Sequence, residues 1–241
     1  MDAVVIPALD EAENVGAVVD GLRAEDVDLV IVVDNGSTDG TADVAERHGA
    51  VVVSEPIAGY GRACAAGTRY AVAQGAAVIA YIDADQSSRP DELPALLAPI
   101  RANEADLVLG SRVLGTMEAG AMGPHQRFGN WLTAAIMGIL YDVEVTDLGP
   151  FRAIRTELLQ SLDMTEMTFG WPTEMMVKSA RHEARIVEVP ATWQVRNAGE
   201  SKVSGTIRGT VLAAWYLLSV TIKHAGRPKL SELRQRLPIG K

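Results

Sequence analysis

Short, wholly apolar runs recur through the first half of the chain, at 4–6, 29–33, 51–53, 78–82 and 107–109. None alternates apolar with polar side chains, so each strand they form must be covered on both faces. Between them lie longer, often Ala-rich amphipathic stretches, predicted as helices at 13–23, 41–48, 61–74 and 91–100. Buried strands interleaved with helices specify an α/β fold with a mostly parallel central sheet and helices on both faces. Ligands of such sheets bind beyond the C-terminal ends of the strands. Polar residues collect there in this chain. The second half is less regular, with helices expected at 126–140 and 172–181. A loop and strand rich in Gly, Pro and Arg are expected over 146–154, a strand at 186–189 and a further helix at 206–224. The 241 residues show no internal repeat and no long linker, which predicts one domain.

Composition narrows the class. With 48% hydrophobic residues the chain carries a globular core, and its 22 Gly and 11 Pro follow no period, so it is neither disordered nor collagen-like. Cys64 is the sole cysteine, so no internal disulfide forms and a reducing, cytoplasmic compartment is expected. Met1-Asp2 leads straight into an apolar run without a basic segment, so no secretory signal is expected. The net charge of -9 divides unevenly: residues 1–177 carry -17 and residues 178–241 carry +8. An acidic body excludes general nucleic-acid binding. The basic last quarter suits phosphates or an anionic membrane surface, and equally a solvated helical tail. Within it, residues 209–222 carry no charge. A helix of that length spans about 21 Å, short of the ~30 Å hydrocarbon core. It either lies in a membrane interface, with Trp215 and Tyr216 at headgroup depth, or packs on the protein.

Three segments at strand ends can carry chemistry. Asp83-Ala84-Asp85 follows the run at 78–82 and sets two carboxylates at i and i+2, a pair suited to a divalent cation that also binds phosphate oxygens. One of them could instead cap the next helix, but Ser88, Pro90, Asp91 and Glu92 already make a good helix start. Asp34-Asn35-Gly36-Ser37-Thr38-Asp39-Gly40-Thr41 follows the run at 29–33. It offers a carboxylate and an amide to a nucleoside, or serves as a plain helix entry. Pro7-Ala8-Leu9-Asp10-Glu11 ends the first strand and reads alone as a capped helix entry. The chain has neither G-x-G-x-x-G after the first strand nor a G-x-x-x-x-G-K-[ST] loop, the markers of dinucleotide and P-loop chemistry. The four histidines show no ligand spacing, so zinc is not expected.

In this order and spacing the three segments resemble those of the family-2 glycosyltransferases of the GT-A fold, most closely the dolichol-phosphate (polyprenol-phosphate) mannosyl- and glucosyltransferase branch. That family carries P-x-x-N-E, V-D-D-G-S-x-D-G-T and D-A-D. Here Asp10 stands for the usual Asn and Asn35 for the second carboxylate. Gly59-Tyr60-Gly61-Arg62-Ala63, Gly110-Ser111-Arg112, Glu174 and Arg196-Asn197-Ala198-Gly199-Glu200-Ser201-Lys202 extend the likeness over about residues 3–224. The segment Asp147-Leu148-Gly149-Pro150-Phe151-Arg152 is one residue shorter than the family's D-x-x-[ST]-G-F-R and gains a proline.

The resemblance implies a nucleotide half at about 1–112, an acceptor half at about 113–224 and a basic tail at 225–241. It implies a nucleotide-sugar site of Pro7, Ala8, Leu9, Glu11, Val33, Asp34, Asn35, Gly61, Ala63, Asp83, Ala84, Asp85 and Arg112. Asp83 and Asp85 would hold Mg²⁺ or Mn²⁺. Arg112, Arg127, Arg152, Arg196, Ser201 and Lys202 would meet diphosphate or acceptor phosphate, in keeping with the match of guanidinium forks to phosphate oxygens. The implied partners are a UDP- or GDP-linked sugar and a lipid-phosphate or soluble acceptor. Peripheral contact with the inner membrane face through the C-terminal helix goes with the lipid. A phosphate monoester acceptor is ionised near neutral pH and needs positioning, not a strong base. An alcohol would need Asp147 or Glu174 as base, beside the role of Asp85. Rival readings are a nucleotidyltransferase and a sugar-nucleotide binder without turnover.

Overall fold

The computed structural model describes residues 1–198 together with Ser219 and Thr221. The helix expected at 206–224 therefore lies outside the described residues except at those two positions, as do Ser201, Lys202 and the tail.

A seven-stranded sheet forms the centre, in the order β3-β2-β1-β4-β6-β5-β7. Its strands are β1 (Asp2–Ala8), β2 (Leu29–Asp34), β3 (Val51–Ser54), β4 (Val78–Tyr81), β5 (Leu107–Ser111), β6 (Arg152–Arg155) and β7 (Ile186–Pro190). The first four are parallel, β6 runs antiparallel to both β4 and β5, and β7 returns parallel to β5. The apolar runs owe their character to this burial. Val5, Ile31, Val33 and Ile79 face one layer of the core, while Val4, Ile6, Val30 and Val32 face the other. Helices α1 (Val15–Arg23), α2 (Thr41–Arg47) and α4 (Leu93–Arg101) cover the second layer. Helices α3 (Tyr60–Ala73), α5 (Pro124–Tyr141), α6 (Thr156–Ser161) and α7 (Trp171–Arg181) cover the first.

Helix α3 lies close on the sheet because position 67 has no side chain. A Cβ on Gly67 would stand 2.4 Å from Val5 Cγ1. The residues expected to start α4 behave differently from expectation. Pro90–Glu92 form a separate 3₁₀ turn, and Ser88 is buried in an isolated bridge to Trp193. Ser88 is thus spent on tying the loop after β4 to the segment after β7, and it caps no helix.

Between β1 and β4 the chain order reverses direction across the sheet, since β2 and β3 extend to one side and β6, β5 and β7 to the other. Loops leaving the two strands part there and leave a crevice at their C-terminal ends.

Candidate active site

The crevice is a cleft of about 830 Å³. Pro7, Ala8, Leu9 and Glu11 line it from the end of β1, Asn35 from β2, and Ala58, Gly59, Tyr60 and Ala63 from the start of α3. Asp83, Ala84, Asp85 and Ser87 line it from β4, Arg112 from β5, and Trp193 to Arg196 from the segment after β7.

The wall beside β1 and β2 is built by short polar side chains bonded to neighbouring backbone. Asp10 adopts φ +51, a left-handed conformation that Asn and Asp tolerate better than most residues. Its Oδ1 accepts the Thr38 amide at 2.8 Å, and its own amide donates to Ser37 Oγ at 3.0 Å. The Glu11 amide donates to Thr41 Oγ1 at 2.9 Å, and the Ala12 amide to Asp39 Oδ2 at 2.9 Å. The two loops are thereby joined edge to edge. Asn35 secures a third segment: its amide donates to the carbonyls of Glu55 and Ile57, both at 2.8 Å, and its Oδ1 accepts the Gly59 amide at 2.8 Å. A carboxylate at this position could not donate to those carbonyls, which gives the departure from V-D-D-G-S a structural reason.

The carboxylate pair sits on the cleft floor. Tyr60 Oη donates to Asp83 Oδ1 at 3.2 Å, and Asp85 Oδ1 accepts the Ser87 amide at 3.0 Å. Burial, and after it the charge of Asp85, push the Asp83 carboxyl up to about 7, although Tyr60 and Arg112 pull the other way. Burial and the adjacent Asp83 likewise raise the Tyr60 hydroxyl. Ser87 Oγ is buried in the lining with no hydrogen-bond partner among the described residues. Two carboxylates and an orphaned hydroxyl oxygen are a donor set that suits a hard divalent cation. The described residues contain no cluster of three His, Cys, Asp or Glu able to hold a metal ion. A cation on this pair would complete its shell with ligand phosphate and water oxygens, as Mg²⁺ sites on phosphates commonly do.

Cations occupy the opposite wall. Arg112 is held in a bidentate pair with Asp147, Nε to Oδ2 and Nη2 to Oδ1 both at 2.7 Å, and its guanidinium lies 4.8 Å from the Trp193 ring centroid. Arg196 donates to Glu11 Oε1, and Glu11 Oε2 accepts Asn14 Nδ2 at 2.7 Å.

Eleven residues named from the sequence therefore share the cleft: Pro7, Ala8, Leu9, Glu11, Asn35, Ala63, Asp83, Ala84, Asp85, Arg112 and Arg196. Several others are placed elsewhere. Val33 is buried in the core beneath α3, and Asp34 turns back to accept the Ser37 amide at 3.2 Å. Gly61 lies against the 166–167 backbone, where a Cβ would stand 2.5 Å from the Glu166 carbonyl oxygen. Arg127 is exposed on α5, outside the lining. The expectation that Arg152 meets phosphate is corrected. It is 1% exposed and donates to the carbonyls of Pro172 at 2.7 Å, Leu148 at 3.3 Å and Gly149, with burial lowering its pKa to about 10. Glu174 is corrected too. Fully buried, it accepts the Thr165 and Glu166 amides and pairs with Lys178 at 2.9 Å, so it braces a loop and does not reach the cleft as a base. Asp147 is also fully buried behind Arg112, outside the lining.

Sequence reasoning passed over Tyr60, Ser87 and Trp193 as site residues, though all three line the cleft. Phe169 also lines the cleft, whereas Trp171, at the start of α7, is buried at 3% exposure. Trp193 had one visible signal, a lone aromatic residue three positions before Arg196.

A family model described as glycosyl transferase family 2 matches residues 3–163. An uncharacterised glycosyltransferase of Mycobacterium tuberculosis is 38% identical over 220 residues, covering 90% of this chain and 97% of that protein. The undecaprenyl-phosphate mannosyltransferase of Micrococcus luteus is 34% identical, over 85% of this chain and 88% of its own length. Among solved structures, glucosyl-3-phosphoglycerate synthase from M. tuberculosis, in complex with Mn²⁺, UDP and glucosyl-3-phosphoglycerate, superposes with a TM-score of 0.74. It is 24% identical and covers 95% of this chain and 81% of its own.

Proposed function

The chain belongs to glycosyl transferase family 2 and is a glycosyltransferase with the GT-A fold, and from that premise we propose that it moves a sugar from a nucleoside-diphosphate sugar to a phosphate-bearing acceptor, a polyprenyl phosphate before a soluble one. The observation that carries this reading is the division of charge in the cleft. Asp83 and Asp85 lie on its floor and Arg112 on the facing wall. The other described carboxylate in the lining, Glu11, is ion-paired to Arg196. The described cleft thus offers no unpaired carboxylate, apart from the aspartate pair, to take a proton from an alcohol. An acceptor that arrives ionised needs none, and a phosphate monoester is such an acceptor near neutral pH.

Asp83 and Asp85 would hold Mg²⁺ or Mn²⁺ against the donor diphosphate, with Ser87 Oγ beside them. The cation supplies neutralisation of the charge that builds on the leaving diphosphate. An acceptor phosphate oxygen forms the new bond to the anomeric carbon as the bond to the diphosphate oxygen breaks. The electron pair leaves with the nucleoside diphosphate, and the anomeric centre inverts. Arg112 and Arg196 orient phosphate oxygens, Arg112 through a guanidinium fork that Asp147 leaves partly open. Pro7, Leu9, Asn35 and Gly59 border the nucleoside end.

The lipid acceptor is preferred because the M. luteus relative is named for undecaprenyl phosphate. The soluble reading draws on the synthase of like fold, which was also solved with phosphoglyceric acid. Both acceptors carry phosphate. No helix among the described residues is long and apolar enough to cross a membrane. The basic C-terminal quarter would supply the contact with a lipid surface. The test is release of UDP or GDP from a panel of nucleotide sugars with Mn²⁺ or Mg²⁺ present. It is run with a short-chain polyprenyl phosphate, with 3-phosphoglycerate, or with the corresponding polyprenol. Turnover with either phosphate and none with the alcohol is expected. Turnover with the alcohol alone would refute the phosphate reading.

A further inference from the structure

Arg112 comes from the end of β5, but what fixes it comes from two distant segments. Asp147, on the loop between α5 and β6, accepts the Arg112 amide as well as Nε and Nη2, each at 2.7 Å. The Arg112 Cζ lies over the ring of Trp193, after β7, 4.8 Å from its centroid. A carboxylate clamp on one edge and an aromatic ring beside the cation leave few rotamers for the arginine. Its Nη1 edge bonds to no described residue, while the side chain lines the cleft. Asp147 is itself braced. Glu188 on β7 accepts the Asp147 amide at 3.0 Å and the Thr146 amide at 2.9 Å. Thr146 Oγ1 bonds Ser111 Oγ at 2.7 Å, and Asn130 Oδ1 accepts the Leu148 amide at 2.9 Å. Gly149 permits the packing, since a Cβ there would stand 2.6 Å from the Gly110 carbonyl oxygen.

We propose that Asp147 and Trp193 are positioning residues which hold the Arg112 guanidinium as a rigid, pre-set fork for phosphate oxygens in the cleft. Asp147 acts through the arginine and not on the substrate. Both its oxygens are engaged, its side chain is fully buried, and it does not border the cleft. Pre-orientation lowers the entropic cost of gripping a phosphate, so the effect belongs to binding. This inference rests on the proposed phosphate chemistry of the cleft. The phosphate gripped can be the donor diphosphate or the acceptor monoester, and the two give different readouts.

The experiment uses the full chain, wild type and the variants Asp147→Asn, Trp193→Leu and Trp193→Phe. Calorimetry measures UDP and GDP binding with Mn²⁺, and steady-state kinetics separates kcat from KM for each substrate. Asp147→Asn is expected to weaken phosphate binding by about 10–100-fold, in the range of supporting side chains around other ion sites. Trp193→Leu should weaken it by about 3–10-fold, and Trp193→Phe, which keeps a ring face, by less. A loss in nucleotide affinity assigns the grip to the donor, and a rise confined to acceptor KM assigns it to the acceptor. In an Arg112→Ala background Asp147→Asn should add little.

A collapse of kcat in Asp147→Asn, with binding intact and the acidic limb of the pH profile removed, would make Asp147 a base and overturn the proposal. Full additivity with Arg112→Ala would also overturn it, as would a lowered melting temperature with unchanged Kd and KM. If Asp147→Asn does not fold, Trp193→Leu decides alone, and unchanged binding there is a refutation. Failure of the wild type to bind either nucleotide would take down the phosphate reading and this inference together. Wild-type nucleotide binding, with both the nucleotide Kd and the acceptor KM left untouched by both variants, would take down the inference only.

Discussion

The two walls of the cleft are held by different means. Beside β1 and β2, uncharged or singly charged short side chains fasten loops to nearby backbone: Asp10 to Thr38, Asp39 to Ala12, Asn35 to Glu55, Ile57 and Gly59. Beside β5, β6 and β7, buried charges do this work: Arg112 with Asp147, Glu174 with Lys178, and Arg152 with three carbonyls. Backbone clamps fix the shape of a loop but bring no cation to it. Ion pairs fix a charged group in place, which a wall meant to receive phosphate requires. The cost is that removing one partner strands a buried charge.

The comparison is broken most sharply at the floor where the walls meet. Asp85→Ala should lower kcat/KM by at least about 10²-fold, because electrostatic stabilisation of the leaving group is lost while the fold keeps its melting temperature. Steady-state release of nucleoside diphosphate checks this. The backbone-clamped wall is tested by Asn35→Asp, which cannot donate to the Glu55 and Ile57 carbonyls. A loss of about 3 kcal/mol in urea unfolding is expected, and little change would show that the clamp is idle. Gly61→Ala probes the seam between α3 and the 166–168 loop. Its Cβ meets backbone, so about 1–2 kcal/mol of destabilisation is expected, with a shift of Phe169 in the cleft.

The smallest effect lies at the far end of the charged wall. There Asp106, just before β5, pairs with Arg185 at 2.7 Å and Arg155 at 3.2 Å. Hydrogen bonds from Arg185, against some burial, hold its carboxyl down to about 2. With an unfolded value near ~3.9, this pair stabilises the fold above about pH 4 and loses its contribution as the pH falls through about 2. Arg185 is nearly half exposed, so the contribution is on the order of 1 kcal/mol or less. Melting curves between pH 5 and 2 should therefore fall less steeply in Arg185→Gln than in the wild type.

How much the sequence disclosed follows the same division. Strands buried on both faces announce themselves as apolar runs, and a carboxylate pair directly after one stands out because the fold leads it to a ligand crevice. The joined loops of the first wall were readable as motifs, though the clamp made by Asn35 was not, since its partners are backbone carbonyls that any residue supplies. On the second wall the residues were visible and their roles were not. Arg152 and Glu174 are charges whose burial depends on partners 3–20 positions away, and Asp147 meets Arg112 across 35. The reversed direction of β6 is a property of pairing with β4 and β5, which four residues of sequence do not encode on their own.

Calorimetric titration of UDP and GDP into the full chain, with Mn²⁺ and then with EDTA, for wild type and Asp85→Ala, bears most directly on the account. One nucleotide should bind the wild type tightly only with the cation, and that cation-dependent part should vanish in the variant. Equal affinity in EDTA, or an undiminished Mn²⁺ response in Asp85→Ala, would contradict it.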